Sequence, residues 1–139
     1  MAAHSDPPVP ESSAARDMPR CPAEAFALLV PLFALASVER VAALYLAEEK
    51  LLALVDVAAG DPVSTVFPMA RILRDAILRG ADGILLAHNH PAGDPAPSPE
   101  DLRVTRRFAA AAAAIGIHLV DHVIVARGGC ASLRMMGLL

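Results

Sequence analysis

Between residues 87 and 101 the chain reads Ala-His-Asn-His-Pro-Ala-Gly-Asp-Pro-Ala-Pro-Ser-Pro-Glu-Asp. His88 and His90 follow the apolar run Gly83–Ala87, which has the length and character of a short buried strand. Side chains at i and i+2 of a strand point to one face, about 7 Å apart at Cα, so two imidazoles there can converge on a single ion. Pro91 cannot continue a strand ladder and forces a turn. Ser98-Pro99-Glu100-Asp101 then carries the signature of a helix start, with Ser as N-cap, Pro in the first turn and acids behind it. Asp101 therefore sits one turn into an element whose position the cap sets. Two histidines and one aspartate held this way leave a fourth tetrahedral position open, the pattern of a catalytic zinc site. Taken singly, a His-x-His pair is more often a hydrogen-bonding pair, and Ser-x-x-Asp more often a plain capping box.

A zinc hydrolase also needs an acid/base that moves a proton from water to the leaving group. Six glutamates are available for that role, namely Glu11, Glu24, Glu39, Glu48, Glu49 and Glu100. Glu39 is the best placed, because it opens a strand directly after a buried helix. On the residues alone, a charge at a strand edge is the plainer reading of it. Ser98 could donate its hydroxyl hydrogen to a developing oxyanion while its oxygen caps the helix. His4 falls in the tail, and His118 and His122 flank a strand end, where a satisfied structural role is the default.

The elements that must position these groups can be read from periodicity. Pro22 to about Ala36 is a helix candidate, apolar nearly all round, with Pro31 expected to kink or break it. Glu39–Leu46 and Leu51–Ala59 are strands joined by the charged turn Glu48-Glu49-Lys50, an antiparallel hairpin. The second strand ends at Gly60-Asp61-Pro62. From Pro68 to Arg79, Met69, Ile72, Leu73, Ala76 and Ile77 recur at helical spacing, with Gly80 as the stop. Ser98 to Ile115 is the longest helix, with Leu102, Phe108, Ala109, Ala112 and Ile115 on its inner face. His118–Ala126 is a further strand, and Cys130–Met135 a candidate last one. Helices alternating with strands around one hairpin predict an α/β domain with a mixed sheet.

At 139 residues the chain is long enough for a single domain with a sizeable core. Hydrophobic residues make up 55% of it and aromatics only 4%, so that core must be aliphatic. Residues 1–21 are rich in Pro, Ser and Ala without apolar period and are expected to form a disordered tail, leaving 22–139 as the domain. The net charge of −3 supplies no basic field, which argues against nucleic acid as a partner. Arg103, Arg106 and Arg107 share one helical region but read as a solvated face. The apolar run Ala25–Val38 is too short to span a bilayer and is broken by Pro31, so no membrane association is expected. Its Ala34-Leu35-Ala36 end mimics a leader cleavage site, but the long acidic, Pro-rich lead and Glu24 argue against one. Cys21 and Cys130 are too few for a cysteine zinc site or a disulfide framework, and a reduced, cytoplasmic setting fits them.

His88-x-His90-Pro91, six residues, then Ser98-x-x-Asp101 resembles the JAMM motif of the JAB1/MPN metalloprotease superfamily. Ala87 to Pro95, Val104-Thr105-Arg106-Arg107 and Leu119 to Val125 narrow the resemblance to the bacterial RadC family, over roughly residues 22–139. The resemblance implies a cytidine-deaminase-like three-layer sandwich. It implies a Zn2+ held by His88, His90 and Asp101, with Glu39 as the acid/base, since the family's catalytic Glu precedes an early apolar strand. It also implies that Ser98 helps to stabilise the oxyanion, and it gives Asp121-His122 a place behind the ligands. The implied activity is hydrolysis of a peptide or isopeptide bond in an unidentified peptide or protein. The alternatives are a DNA-repair-associated accessory protein, after the family's historical label, and a catalytically silent MPN scaffold. Two features depart from the family. Tail-like residues stand where a helix-hairpin-helix DNA binder is usual. Gly60-Asp61 and Pro68-Met69-Ala70 replace the usual Gly-Thr and Pro-Arg-Glu.

Overall fold

The computed structural model describes residues 23–33, 36–58 and 67–139. The expected N-terminal tail, Cys21 and the Gly60-Asp61-Pro62 stop lie outside the described residues. The elements run α1 (Ala23–Phe33), β1 (Val41–Ala47), β2 (Lys50–Ala58), α2 (Met69–Arg79), β3 (Gly83–Asn89), α3 (Pro99–Ala114), β4 (His118–Ala126) and β5 (Gly129–Ser132). The strands form one mixed sheet in the order β2-β1-β3-β4-β5. Among the described strands only β3 and β4 are parallel, and α3 supplies the crossover that a parallel neighbour requires.

Two apolar clusters lie on opposite faces of the sheet and make three layers. Ala43, Tyr45, Ile84, Leu86 and Leu119 face Ile72 and Ala76 of α2 and Phe108 and Ala112 of α3. Ala42, Leu44, Leu85, Ala87, Val123 and Val125 face Leu29 and Phe33 of α1. β3 is buried along its whole length, as a continuous apolar central strand must be.

The hairpin forms as expected, with Glu48 and Glu49 both at positive φ (51° and 66°) in the two-residue turn. Gly80 takes φ 71° at the end of α2, where its N–H bonds back to the last turn. Some expected boundaries and faces move. β1 starts at Val41, so Glu39 precedes the strand rather than opening it. α1 continues two residues past Pro31 and buries one stripe only, leaving Val30 exposed. Ile77 is exposed because the stripe of α2 that meets the sheet closes at Ala76. Ile115 is exposed too, being the C-cap of α3 rather than part of its inner face. Among the described residues no cysteine is free, so Cys130 is not the reduced thiol expected. Among those residues no helix is long and apolar enough to cross a membrane.

Candidate metal centre

The site lies at the carboxyl end of β3, where α/β sheets commonly bind ligands. His88 is the last but one residue of β3, and His90 follows the strand on the same face. Ser98 opens α3 with a complete capping box. Its Oγ accepts from the Asp101 N–H at 3.0 Å, and its own N–H donates to Asp101 Oδ2 at 2.8 Å. That box aims the carboxylate back at the strand. The two imidazole Nε2 atoms lie 3.0 Å apart. His90 Nε2 is 3.2 Å from Asp101 Oδ2, and His88 Nε2 is 3.3 Å from Asp101 Oδ1.

These separations of 3.0–3.3 Å come close to what a tetrahedral zinc asks of its ligands. Bonds of about 2.0–2.2 Å to N and O ligands put neighbouring ligand atoms about 3.3–3.5 Å apart. The donors also have the right chemistry, two imidazoles and a carboxylate whose Oδ1 is left free by the cap. Glu39 completes the cluster: one of its carboxylate oxygens and a nitrogen from each of His88 and His90 all lie within 4.8 Å of one another. Glu39, His88 and His90 could themselves hold a metal. Asp101 stands 3.2 and 3.3 Å from the two rings, so it is a second carboxylate within ligand reach of them.

Register explains how Glu39 arrives. β1 and β3 are antiparallel, with Val41 opposite His88 and Ala42 opposite Ala87. Continuing that pairing two residues outward brings Glu39 opposite His90. The segment is pinned there by Asn89, whose side chain points to the other face from the histidines. Asn89 Oδ1 accepts from the Arg40 N–H at 2.6 Å, and its amide donates to the Val38 carbonyl at 3.1 Å. Arg40 is in turn ion-paired with Asp56 and donates to the Leu32 carbonyl. Asn89 therefore grips the main chain on either side of Glu39.

On the residues alone His122 had a structural default, the family resemblance gave Asp121-His122 a place behind the ligands, and Thr105 was missed. His122 and Thr105 are both buried behind His88. His122 Nε2 is 2.8 Å from His88 Nδ1, and His122 Nδ1 is 2.6 Å from Thr105 Oγ1. A β-bulge puts His122 there. Ile84 pairs with Leu119 but Leu85 pairs with Asp121, so Val120 is the extra residue. The bulge switches the alternation of β4 and turns His122 to the face of His88. Asp121 points the other way. It accepts from the His122 and Arg134 N–H groups and from the Ser132 hydroxyl, which ties down the chain beyond β5. His118, at the exposed start of β4, takes no part.

The electrostatics follow from these partners. Burial would raise the Asp101 carboxyl, but the two imidazoles and the Ser98 N–H outweigh it and hold it far below the usual carboxylate range. The Asp101 hydrogen bond raises the pKa of His90 against its partial burial. Burial, helped by the neighbouring His88, lowers His122 to about 3 against the pull of Asp101, so its ring is neutral. Burial raises Asp121. A cleft of about 320 Å³ opens beside His90, lined by Phe26, Val30, Phe33, Val125 and Arg127.

Residues 19–138 match the family model of the RadC-like JAB domain. A "UPF0758 protein" of Symbiobacterium thermophilum is 38% identical over 119 residues, covering 85% of this chain and 51% of that protein. One from Moorella thermoacetica is 40% identical over 92 residues, covering 66% of this chain and 40% of the relative. Another, from Clostridium acetobutylicum, is 43% identical over 84 residues, 60% of this chain and 37% of the relative. The chain thus spans about half or less of the length of these relatives. The motif, the three-layer sheet and these matches agree, and the chain belongs to the RadC-like JAB domain family.

Proposed function

We propose that the protein is a zinc-dependent hydrolase of peptide or isopeptide bonds. The observation that carries this reading is the convergence of His88, His90 and Asp101 at zinc-ligand spacing, with Glu39 beside them and a cleft leading to His90. Zinc, when bound, would supply a Lewis acid for the scissile carbonyl and lower the pKa of water.

The chain's own residues divide the remaining work. His88, His90 and Asp101 hold the ion. Glu39 takes a proton from the attacking water and delivers it to the leaving amine, so that one water is consumed and an acid and an amine are released. Ser98 turns its hydroxyl hydrogen toward the developing oxyanion, since its capping bond uses only the oxygen. The cleft beside His90 takes an apolar side chain of a peptide or protein substrate.

Elemental analysis of the purified chain should find one zinc per molecule. His88→Ala and Asp101→Ala should lose it. Glu39→Gln should keep the zinc and lose hydrolysis of a peptide and isopeptide panel by at least about a hundredfold, the ordinary contribution of a positioned acid/base. Full zinc content in both ligand variants would overturn the assignment.

A further inference from the structure

Three groups behind the candidate metal centre form a chain whose hydrogen-bond directions are set by chemistry. At its far end Thr105 Oγ1 is 2.6 Å from the Asp101 main-chain carbonyl. A carbonyl only accepts, so the single hydroxyl hydrogen of Thr105 is committed there. Thr105 Oγ1 must then accept from His122 Nδ1, which carries the proton of that neutral ring. His122 Nε2 is left with a lone pair and accepts from His88 Nδ1–H. With its proton on Nδ1, His88 is in the tautomer that offers an Nε2 lone pair to a cation placed between His90 and Asp101.

We propose that Thr105 and His122 are positioning residues, a buried relay that locks the tautomer of His88 and so prepares it to bind a divalent cation. The relay begins on the main chain of one ligand residue, Asp101, and ends on the ring of another, His88. It links α3, β4 and β3, the three elements whose relative placement the site depends on. A carbonyl at its start is the reason the direction cannot reverse. His90 gets its tautomer differently: its Nδ1 faces the Asp94 main-chain carbonyl at 2.9 Å. Metal-ligating histidines ordinarily donate their second N–H to such a partner, and loss of one costs about 10–100-fold in affinity. Here the partner of His88 is a further imidazole, and Thr105 is what makes that imidazole an acceptor.

The inference rests on the metal-site reading above, and the test separates the two. Nitrogen-15 histidine spectra of the metal-free chain at pH 8 should show His88 and His122 both protonated on Nδ1. Zinc affinity, read by competition with a chromophoric chelator, should fall about 10–100-fold in Thr105→Val and His122→Phe and recover in Thr105→Ser. The Thr105→Val spectra should show His88 shifting toward the Nε2–H form. Wild-type His88 protonated on Nε2 would overturn the relay without any variant. So would wild-type tautomers and affinity within twofold in a folded Thr105→Val. If the wild-type chain fails to bind zinc, the hydrolase reading falls while the tautomer spectra still decide the relay.

Discussion

His90 and His122 both lie next to His88, yet their pKa values move in opposite directions. His90, partly exposed on the loop side, is raised because the Asp101 carboxylate outweighs its desolvation. His122, fully buried on the β4 side, is lowered to about 3 because burial and the neighbouring His88 outweigh the Asp101 carboxylate. The difference teaches what each flank of the site is for. The open flank holds charge and meets solvent and the cleft. The buried flank is neutral, packed and directional, and holds the geometry. Asp101 belongs to both, through its carboxylate on one side and its main-chain carbonyl on the other.

The largest effect should come from the residue common to the two flanks. Asp101→Asn keeps the shape but removes the charge, and zinc affinity should drop by more than about a hundredfold in equilibrium dialysis, beyond the loss expected for any outer partner. Affinity within tenfold of wild type would mean that the carboxylate does not hold the ion.

Next comes the opposed pH dependence. A depressed histidine pKa contributes stability above the unfolded value of about 6.5 that is lost as pH falls toward about 3. A raised one contributes stability below about 6.5 that is lost as pH rises through the folded pKa. Urea unfolding of the metal-free chain between pH 4 and pH 7 should therefore change by a few kcal/mol less in His122→Phe than in wild type. In His90→Ala the acid-side loss should instead become steeper. Parallel changes in the two variants would erase the contrast between the flanks.

Asn89 tests the grip on Glu39. Asn89→Ala leaves the Arg40 N–H and the Val38 carbonyl without their partner, at a cost of about 2–4 kcal/mol. Zinc affinity should change little, while turnover falls, because the ligands keep their own supports. A variant that loses zinc and turnover together would place Asn89 among the supports of the ligands instead.

The smallest effect should be at Asp94. Its side chain closes a local turn onto the Ala96 N–H at 2.9 Å, but its contact with His90 is through the main chain. Asp94→Ala should shift stability by no more than about 0.5 kcal/mol and leave zinc affinity nearly unchanged in the same assays. A tenfold loss there would show that the open flank needs its side chains as much as the buried one does.

Local chemistry decided much of this molecule. The cap at Ser98, the glycine stop at Gly80, the two-residue turn at Glu48-Glu49 and the boundaries of β4 each depend on a few neighbouring residues, and each was legible in order along the chain. The His-x-His pair and the capped Asp were legible for the same reason, since strand alternation and helix capping act within a few residues. Contacts set by distant parts of the chain were not legible in local pattern: placement after a helix and the family resemblance named Glu39, the resemblance alone put His122 behind the ligands, and nothing named Thr105. Glu39 reaches the histidines through the register of β1 on β3, His122 reaches His88 only because Val120 bulges, and Thr105 matters only because β4 brings an imidazole against its helix. A single-residue slip in either pairing would turn those side chains to the wrong face, and no local pattern specifies which register wins. The sequence alone determined the groups able to bind a metal; the packing of β1, β4 and α3 around β3 decided which other side chains stand against them.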